Sequence, residues 1–273
     1  MPELPEVETT RRGLIDAVYG ATVTGVTVRE RRLRWPVPPN LARQLTGRTV
    51  RDLSRRGKYL IWHFDHGFLV SHLGMSGSLT AIRTENAPAP TRHDHLDFVF
   101  DSGCLVRYHD PRRFGAMLWI PGHTLTHPLL DSLGPEPLSA SFGGAHLYEA
   151  SRGKLLAVKN FIMDAHVVVG VGNIYASESL FHAGIDPRKA AGRVSAARYD
   201  ALAEAIGATL RKAIRAGGSS LRNYVSADGS PGYFQLATMC YDREGLPCRV
   251  CKTPIRAIRQ GQRSTFFCPR CQK

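Results

Sequence analysis

The two ends of this chain hold residues whose types and spacing suit chemistry. At the start stands Met1-Pro2-Glu3-Leu4-Pro5-Glu6. Proline at position 2 is small enough to permit removal of the initiator methionine, which would expose a secondary amine. An α-amino group has a pKa of about 7.7–8.0, so a sizeable fraction is neutral near pH 7. A neutral amine can attack a sugar carbon and form an iminium that acts as an electron sink. Glu3 and Glu6 lie alongside for proton transfer. The same acidic residues also suit the first turn of a helix, where they complement its dipole. At the other end Cys248, Cys251, Cys268 and Cys271 read C-x2-C-x16-C-x2-C, the spacing of a four-cysteine zinc site. Four sulfur ligands leave no open coordination position, so such a zinc is structural. Paired disulfides would need an oxidising compartment. Cys104 and Cys240 fit no pair and read as core thiols.

The charge balance narrows the partner. Lys and Arg number 36 against 23 Asp and Glu, a formal +13. An excess of that size suits a polyanion. Residues 241–273 carry eight basic residues and two acids, which concentrates positive charge around the cysteines. No apolar run approaches the ~18 residues of a membrane span, and no basic amphipathic helix marks a membrane surface. The acidic, proline-containing opening does not resemble a secretory signal, so a soluble cytoplasmic protein is expected.

Periodicity supplies the elements that would hold these residues. A helix is expected over 5–19, with Pro5 in its first turn, Val7, Leu14, Ala17 and Val18 on one face, and Gly20 at its end. Strands are expected at 58–64, 67–73 and 77–82, with a hairpin over 95–108 around Asp101-Ser102-Gly103. A Pro-rich linker follows at 121–140. A long helix is expected over 196–215, closed by Gly217-Gly218. The loop at 217–234, rich in Gly and Ser and carrying Tyr224, Tyr233 and Phe234, reads on composition as a surface connector. The expected class is α+β. It comprises an N-terminal β-sandwich-like domain with a leading helix (1–120), a hinge (121–140), a helical domain (141–235) and a zinc-finger hairpin (236–273).

The opening and seven further blocks carry a resemblance across the whole chain. They are MPELPEVETTRRGL with KYLIWHF, SHLGMSGSL, HDHLDFVF, YHDPRRFGAMLW, VVVGVGNIYASESLFHAGI, GGSSLRNYVSADGSPGYFQ and the closing cysteine segment. In this order they resemble the bacterial formamidopyrimidine-DNA glycosylases, which repair oxidised purines. The resemblance implies a bifunctional glycosylase and abasic-site lyase that excises 8-oxoguanine and formamidopyrimidines. It also implies one structural Zn2+, a helix–two-turn–helix element in the helical domain, and action as a monomer on double-stranded DNA in the bacterial nucleoid.

By the same resemblance, Pro2 matches the nucleophile at C1′ and Glu3 the general acid/base. Lys58 matches the lysine assigned to β-elimination, and Arg263 the finger arginine linked to δ-elimination. Met75, Arg112 and Phe114 match the residues that fill the gap left by a flipped nucleotide. That set makes chemical sense, since an apolar wedge and a hydrogen-bond donor suit an opened base stack. His93, Arg113, Lys154 and Asn173 match DNA contacts, with Arg152 and Lys159 competing for the place given to Lys154. Asn173 follows Gly170-Val171-Gly172, where freed backbone and a helix start make a phosphate seat. Two other readings remain. One is an endonuclease VIII-type glycosylase for oxidised pyrimidines. The other is a non-catalytic zinc-finger DNA-binding protein in which Pro2-Glu3 is incidental.

Overall fold

The computed structural model describes residues 2–219 and 237–273. The chain forms two compact units, one from residues 1–131 with 216–233, the other from 132–215 with 234–273. Most of the loop expected at 217–234 lies outside the described residues, including Tyr224, Tyr233 and Phe234.

The first unit opens with helix α1 (Leu4–Val18), followed by β1 (Val23–Val28) and the short α2 (Leu41–Leu45). Seven strands follow: β2 (Asp52–Arg56), β3 (Tyr59–Phe64), β4 (Gly67–His72), β5 (Ser78–Arg83), β6 (Asp94–Phe100), β7 (Cys104–His109) and β8 (Ala116–Pro121). They make two four-stranded antiparallel sheets, ordered β1-β6-β7-β5 and β2-β3-β4-β8. One core joins both sheets and α1. It includes Leu14 and Val18 from the helix, Leu60, Trp62 and Leu69 from one sheet, and Phe98, Phe100 and Val106 from the other. Burying each such side chain contributes about 1.5–3 kcal/mol. Trp62 meets its polar need inside this core by donating from Nε1 to Ser71 Oγ at 3.0 Å.

The expected helix, hairpins and strands of this unit are present within a residue or two. Strands β1, β2 and β8 escaped the sequence reading. β2 (DLSRR) and β1 (VTGVTV) carry too few large apolar residues to announce themselves, and their pairing comes from the neighbouring strands. Cys104 is buried in β7.

The second unit begins just after α3 (Pro128–Asp131), a short helix inside the Pro-rich stretch. It contains α4 (Gly144–Ser151), α5 (Val158–Ile162), α6 (Asn173–His182) and α7 (Ala196–Arg215). Tyr199, Leu202, Ile206 and Leu210 of α7 are fully buried along one face, as their spacing requires. Gly217 and Gly218 then take positive φ, the conformation that ends a helix most readily. The tail forms a hairpin of β9 (Arg256–Gln260) and β10 (Arg263–Phe267). Both turn residues, Gly261 and Gln262, have positive φ, as a tight hairpin turn demands. Among the described residues, no helix is long and apolar enough to cross a membrane.

Candidate active site and nucleic-acid interface

The N-terminal residues are packed into the first unit. Pro2 is buried, and Glu3 is the N-cap of α1 with 2% of its surface exposed. Glu6 holds this start in place with both carboxylate oxygens. Oε2 accepts the Glu3 N–H at 2.8 Å, and Oε1 accepts the Ser219 N–H at 2.7 Å. The first is half of a capping box; the second ties the helix to the strand-like exit of the glycine pair. Gly218 is needed at this approach: its φ is +81°, and an added Cβ would lie 3.0 Å from Glu6 Oε1.

Two residues further along α1, Glu8 clamps the helix to β2. Its carboxylate meets Arg11 at 3.0 Å, Arg12 at 2.8 Å and Arg55 at 3.2 Å. Burial pushes its pKa up, but the hydrogen bonds from Arg11 and Arg12 outweigh this and hold it at about 2. Arg55 precedes the two-residue turn Gly57-Lys58 that joins β2 to β3, where Gly57 has φ +58°. The clamp therefore sets the start of α1 and the Lys58 turn on one scaffold. His72, at the end of β4, is half-buried near Lys58 and Arg34. That burial and those charges lower its pKa to about 4, so it is neutral and accepts the Gly74 N–H through Nδ1 at 3.0 Å.

Two loops of the same unit carry exposed apolar side chains. Met75, between β4 and β5, is 40% exposed, and Phe114, before β8, is 43% exposed. Arg112 stacks over the Phe114 ring at 4.7 Å. Exposed apolar side chains grouped on adjacent loops suit a surface that a partner covers. Arg113 has φ +58° and lies 3.3 Å from Glu30. Arg32 and Arg34 join Arg112, Arg113 and Phe114 around an open cavity of about 530 Å3. Neither arginine was expected, although the run Arg29-Glu30-Arg31-Arg32-Leu33-Arg34 could have flagged them. His93 precedes β6 and packs edge-on against His109 at 5.8 Å.

The second unit holds the remaining candidates. Asn173 is the first residue of α6, directly after Gly172. Its amide oxygen receives Lys159 Nζ at 2.6 Å, and its Nδ2 donates to Ser264 O at 3.0 Å. Lys159 is fully buried and also reaches Ser264 O at 2.9 Å and Thr265 Oγ1 at 2.7 Å. Its charge is turned inward, onto these acceptors. Arg152 is exposed but gives its guanidinium to Tyr148, Gly192, Val194 and Ser151. Lys154 lies exposed in the loop after α4. Arg263 follows the hairpin turn at the exposed start of β10, next to the strand residues that Lys159 grips.

The four cysteines converge as their spacing requires. All four Sγ atoms lie within 4.8 Å of one another, with Cys248 and Cys271 at 3.9 Å and Cys251 and Cys268 at 3.4 Å. A tetrahedron with Zn–S bonds of ~2.3 Å has edges of about 3.8 Å. The residues therefore fit a closed, structural zinc site. Beneath it Glu178 of α6, almost fully buried, accepts the N–H groups of Met239, Cys240 and Tyr241 at 2.7, 3.0 and 2.8 Å. Cys240 packs in the small core of the finger with Phe181, Ile255 and Phe266. Glu178 went unrecognised because a glutamate on a helix gives no sequence sign that it caps a distant segment.

This arrangement matches known proteins over its whole length. Residues 1–117 match the formamidopyrimidine-DNA glycosylase N-terminal domain, 133–225 the H2TH domain of the same enzymes, and 245–273 the zinc finger found in FPG and IleRS. The formamidopyrimidine-DNA glycosylase of Bordetella pertussis is 58% identical over 277 residues, with both chains fully covered. The chain belongs to the formamidopyrimidine-DNA glycosylase family. Solved members of the family share the fold. A complex of Lactococcus lactis Fpg with DNA containing an abasic site superimposes with a TM-score of 0.89 at 34% identity, over 99% of each chain. MutM bound to DNA containing carbocyclic 8-oxo-G gives 0.90 at 36% identity over all of both chains. The family fold is thus the expected α+β one, with an N-terminal sheet domain, an H2TH domain and a four-cysteine finger.

Proposed function

We propose that the protein is a bifunctional DNA glycosylase and abasic-site lyase acting on oxidised purines, 8-oxoguanine and formamidopyrimidines, in duplex DNA. The observation that carries this reading is the N-terminus: Pro2 and Glu3 are buried together at the start of α1, held there by Glu6.

In this reading the Pro2 amine attacks C1′ of the damaged nucleotide and the base departs with a proton. The amine's lone pair then opens the sugar to an iminium, with Glu3 shuttling the proton at the ring oxygen. Loss of a C2′ proton expels the 3′ phosphate, and a second elimination expels the 5′ phosphate. Lys58 serves the first elimination and Arg263 the second. Met75, Arg112 and Phe114 fill the space left by the extruded nucleotide, whose unstacking costs a few kcal/mol. His93, Arg113, Lys154 and Asn173 hold phosphates. Cys248, Cys251, Cys268 and Cys271 hold one zinc, which keeps the finger rigid and takes no part in the bond-breaking steps.

Borohydride reduction on a duplex containing 8-oxoguanine tests the nucleophile. A covalent adduct at Pro2 is expected, and Pro2→Gly should lose most excision while still binding DNA. An adduct at an internal lysine would overturn the assignment. Equal or faster excision of an oxidised pyrimidine would favour the endonuclease VIII-type reading.

A further inference from the structure

Asp110 is completely buried in the first unit, and none of the roles above uses it. Four donors converge on its carboxylate, three from two separate loops and one from β7. Oδ1 accepts Ser76 Oγ at 2.8 Å and the Arg112 N–H at 3.2 Å. Oδ2 accepts Tyr108 OH at 2.9 Å and the Gly115 N–H at 2.9 Å. The backbone carbonyl of Asp110 also accepts His95 Nε2 at 2.7 Å. Ser76 immediately follows Met75, while Arg112 and Gly115 bracket Phe114. One carboxylate thus ties the turn that displays Met75 to the loop that displays Arg112 and Phe114.

The close approach of the two loops depends on missing side chains. A Cβ on Gly74 would lie 2.4 Å from the Phe114 carbonyl carbon and 2.5 Å from the Gly115 nitrogen. On Gly115 it would lie 1.8 Å from the Tyr108 hydroxyl. Burial, with the Asp110 charge beside it, pushes the Tyr108 phenol well above its usual range, so it remains a donor. A buried carboxylate is costly unless donors surround it. Here three of the four donors come from the two loops whose tips carry the exposed apolar side chains, and Tyr108 of β7 supplies the fourth.

We propose that Asp110 is a positioning residue that locks the Met75 turn and the Arg112–Phe114 loop into one rigid wedge before DNA is engaged. The inference rests on the gap-filling reading of Met75 and Phe114. A preordered wedge spends no binding energy on arranging itself, so more remains to drive the nucleotide out of the stack.

The test compares two reactions under single turnover: excision of 8-oxoguanine from duplex, and strand cleavage at a preformed abasic site. Ser76→Ala should slow excision on the order of tenfold, the worth of one hydrogen bond to a charged group, and Asp110→Asn, which turns an NH2 toward two of the donors, at least as much. Abasic cleavage should change no more than about twofold, because no base has to be expelled. Combined with Phe114→Ala, neither substitution should add a further loss, since residues acting through one element are non-additive. Losses that multiply in the double variants, or that fall equally on both reactions, would make Asp110 a purely structural group and overturn the proposal. Should Asp110→Asn lower the melting temperature sharply, Ser76→Ala carries the same comparison, because it leaves the carboxylate and three of its donors intact. If Phe114→Ala alone leaves excision unchanged, the wedge reading itself fails, which is recognisable without any Asp110 variant.

Discussion

The Lys159 ammonium donates to the Asn173 amide oxygen at 2.6 Å, in a position closed to solvent. The same nitrogen reaches Ser264 O and Thr265 Oγ1 on β10, so the start of α6 and the strand bearing Arg263 share one buried cation. Lys159→Met should therefore weaken binding to lesion duplex on the order of tenfold, because it strips a charged donor from three acceptors. Lys159 contacts no phosphate in this arrangement, so the slope of log affinity against log salt should stay unchanged while the affinity falls. Anisotropy titrations at several salt concentrations measure both. A slope reduced by about one would place the Lys159 charge on the DNA instead.

Glu6 offers a sharper probe of the N-terminus than Pro2 itself. Each of its oxygens takes a different N–H, from Glu3 and from Ser219. Glutamine has one acceptor oxygen, so Glu6→Gln leaves one of these donors facing an amide NH2. The cost of about 1–3 kcal/mol should appear as roughly tenfold or more slower Schiff-base formation, with DNA affinity little changed. Borohydride trapping against time reads this directly. Unaltered trapping would mean that the capping contact does not set the reactive geometry.

The finger should depend on its metal. Cys268→Ser removes one of four thiolates from a hairpin whose own core is a handful of side chains. Zinc content and DNA affinity should fall together, since metal binding and folding are one equilibrium in so small a unit. The N-terminal unit should keep its near-ultraviolet circular dichroism, because among the described residues its core draws on none from the finger. Full affinity at substoichiometric zinc would refute this.

His72 predicts a pH dependence with a definite sign. Its folded pKa is lowered from 6.5 to about 4 by burial and by the charges of Lys58 and Arg34. The unfolded chain therefore binds a proton that the folded chain refuses between those values. Stability should fall as pH drops from about 6.5 toward 4 and be unaffected by this group above that window. His72→Asn, which cannot titrate, should flatten that part of the stability profile. Side-chain NMR should find the imidazole neutral down to about pH 4; titration near 6.5 would contradict the burial argument.

Much of this protein could be read from one dimension. The zinc ligands follow from C-x2-C-x16-C-x2-C alone, because a knuckle needs only local chain to aim two thiolates at one point. Helices α1 and α7 declared themselves by apolar periodicity, and the β6–β7 hairpin by its turn. Pro2 and Glu3 suggested amine and proton-transfer chemistry by residue type, but Met-Pro-Glu is a common start, and the family blocks were needed to assign them, as they were for the rest. What the sequence hid were the residues that act through space. Nothing local distinguishes Asp110 from the neighbouring acids, or Lys159 from Lys154. Nor does a helical glutamate reveal that it caps Glu3 and Ser219 at once, as Glu6 does, or three consecutive amides, as Glu178 does. A buried charge is defined by the donors and acceptors that distant segments bring to it, and only the folded chain brings them within hydrogen-bonding distance.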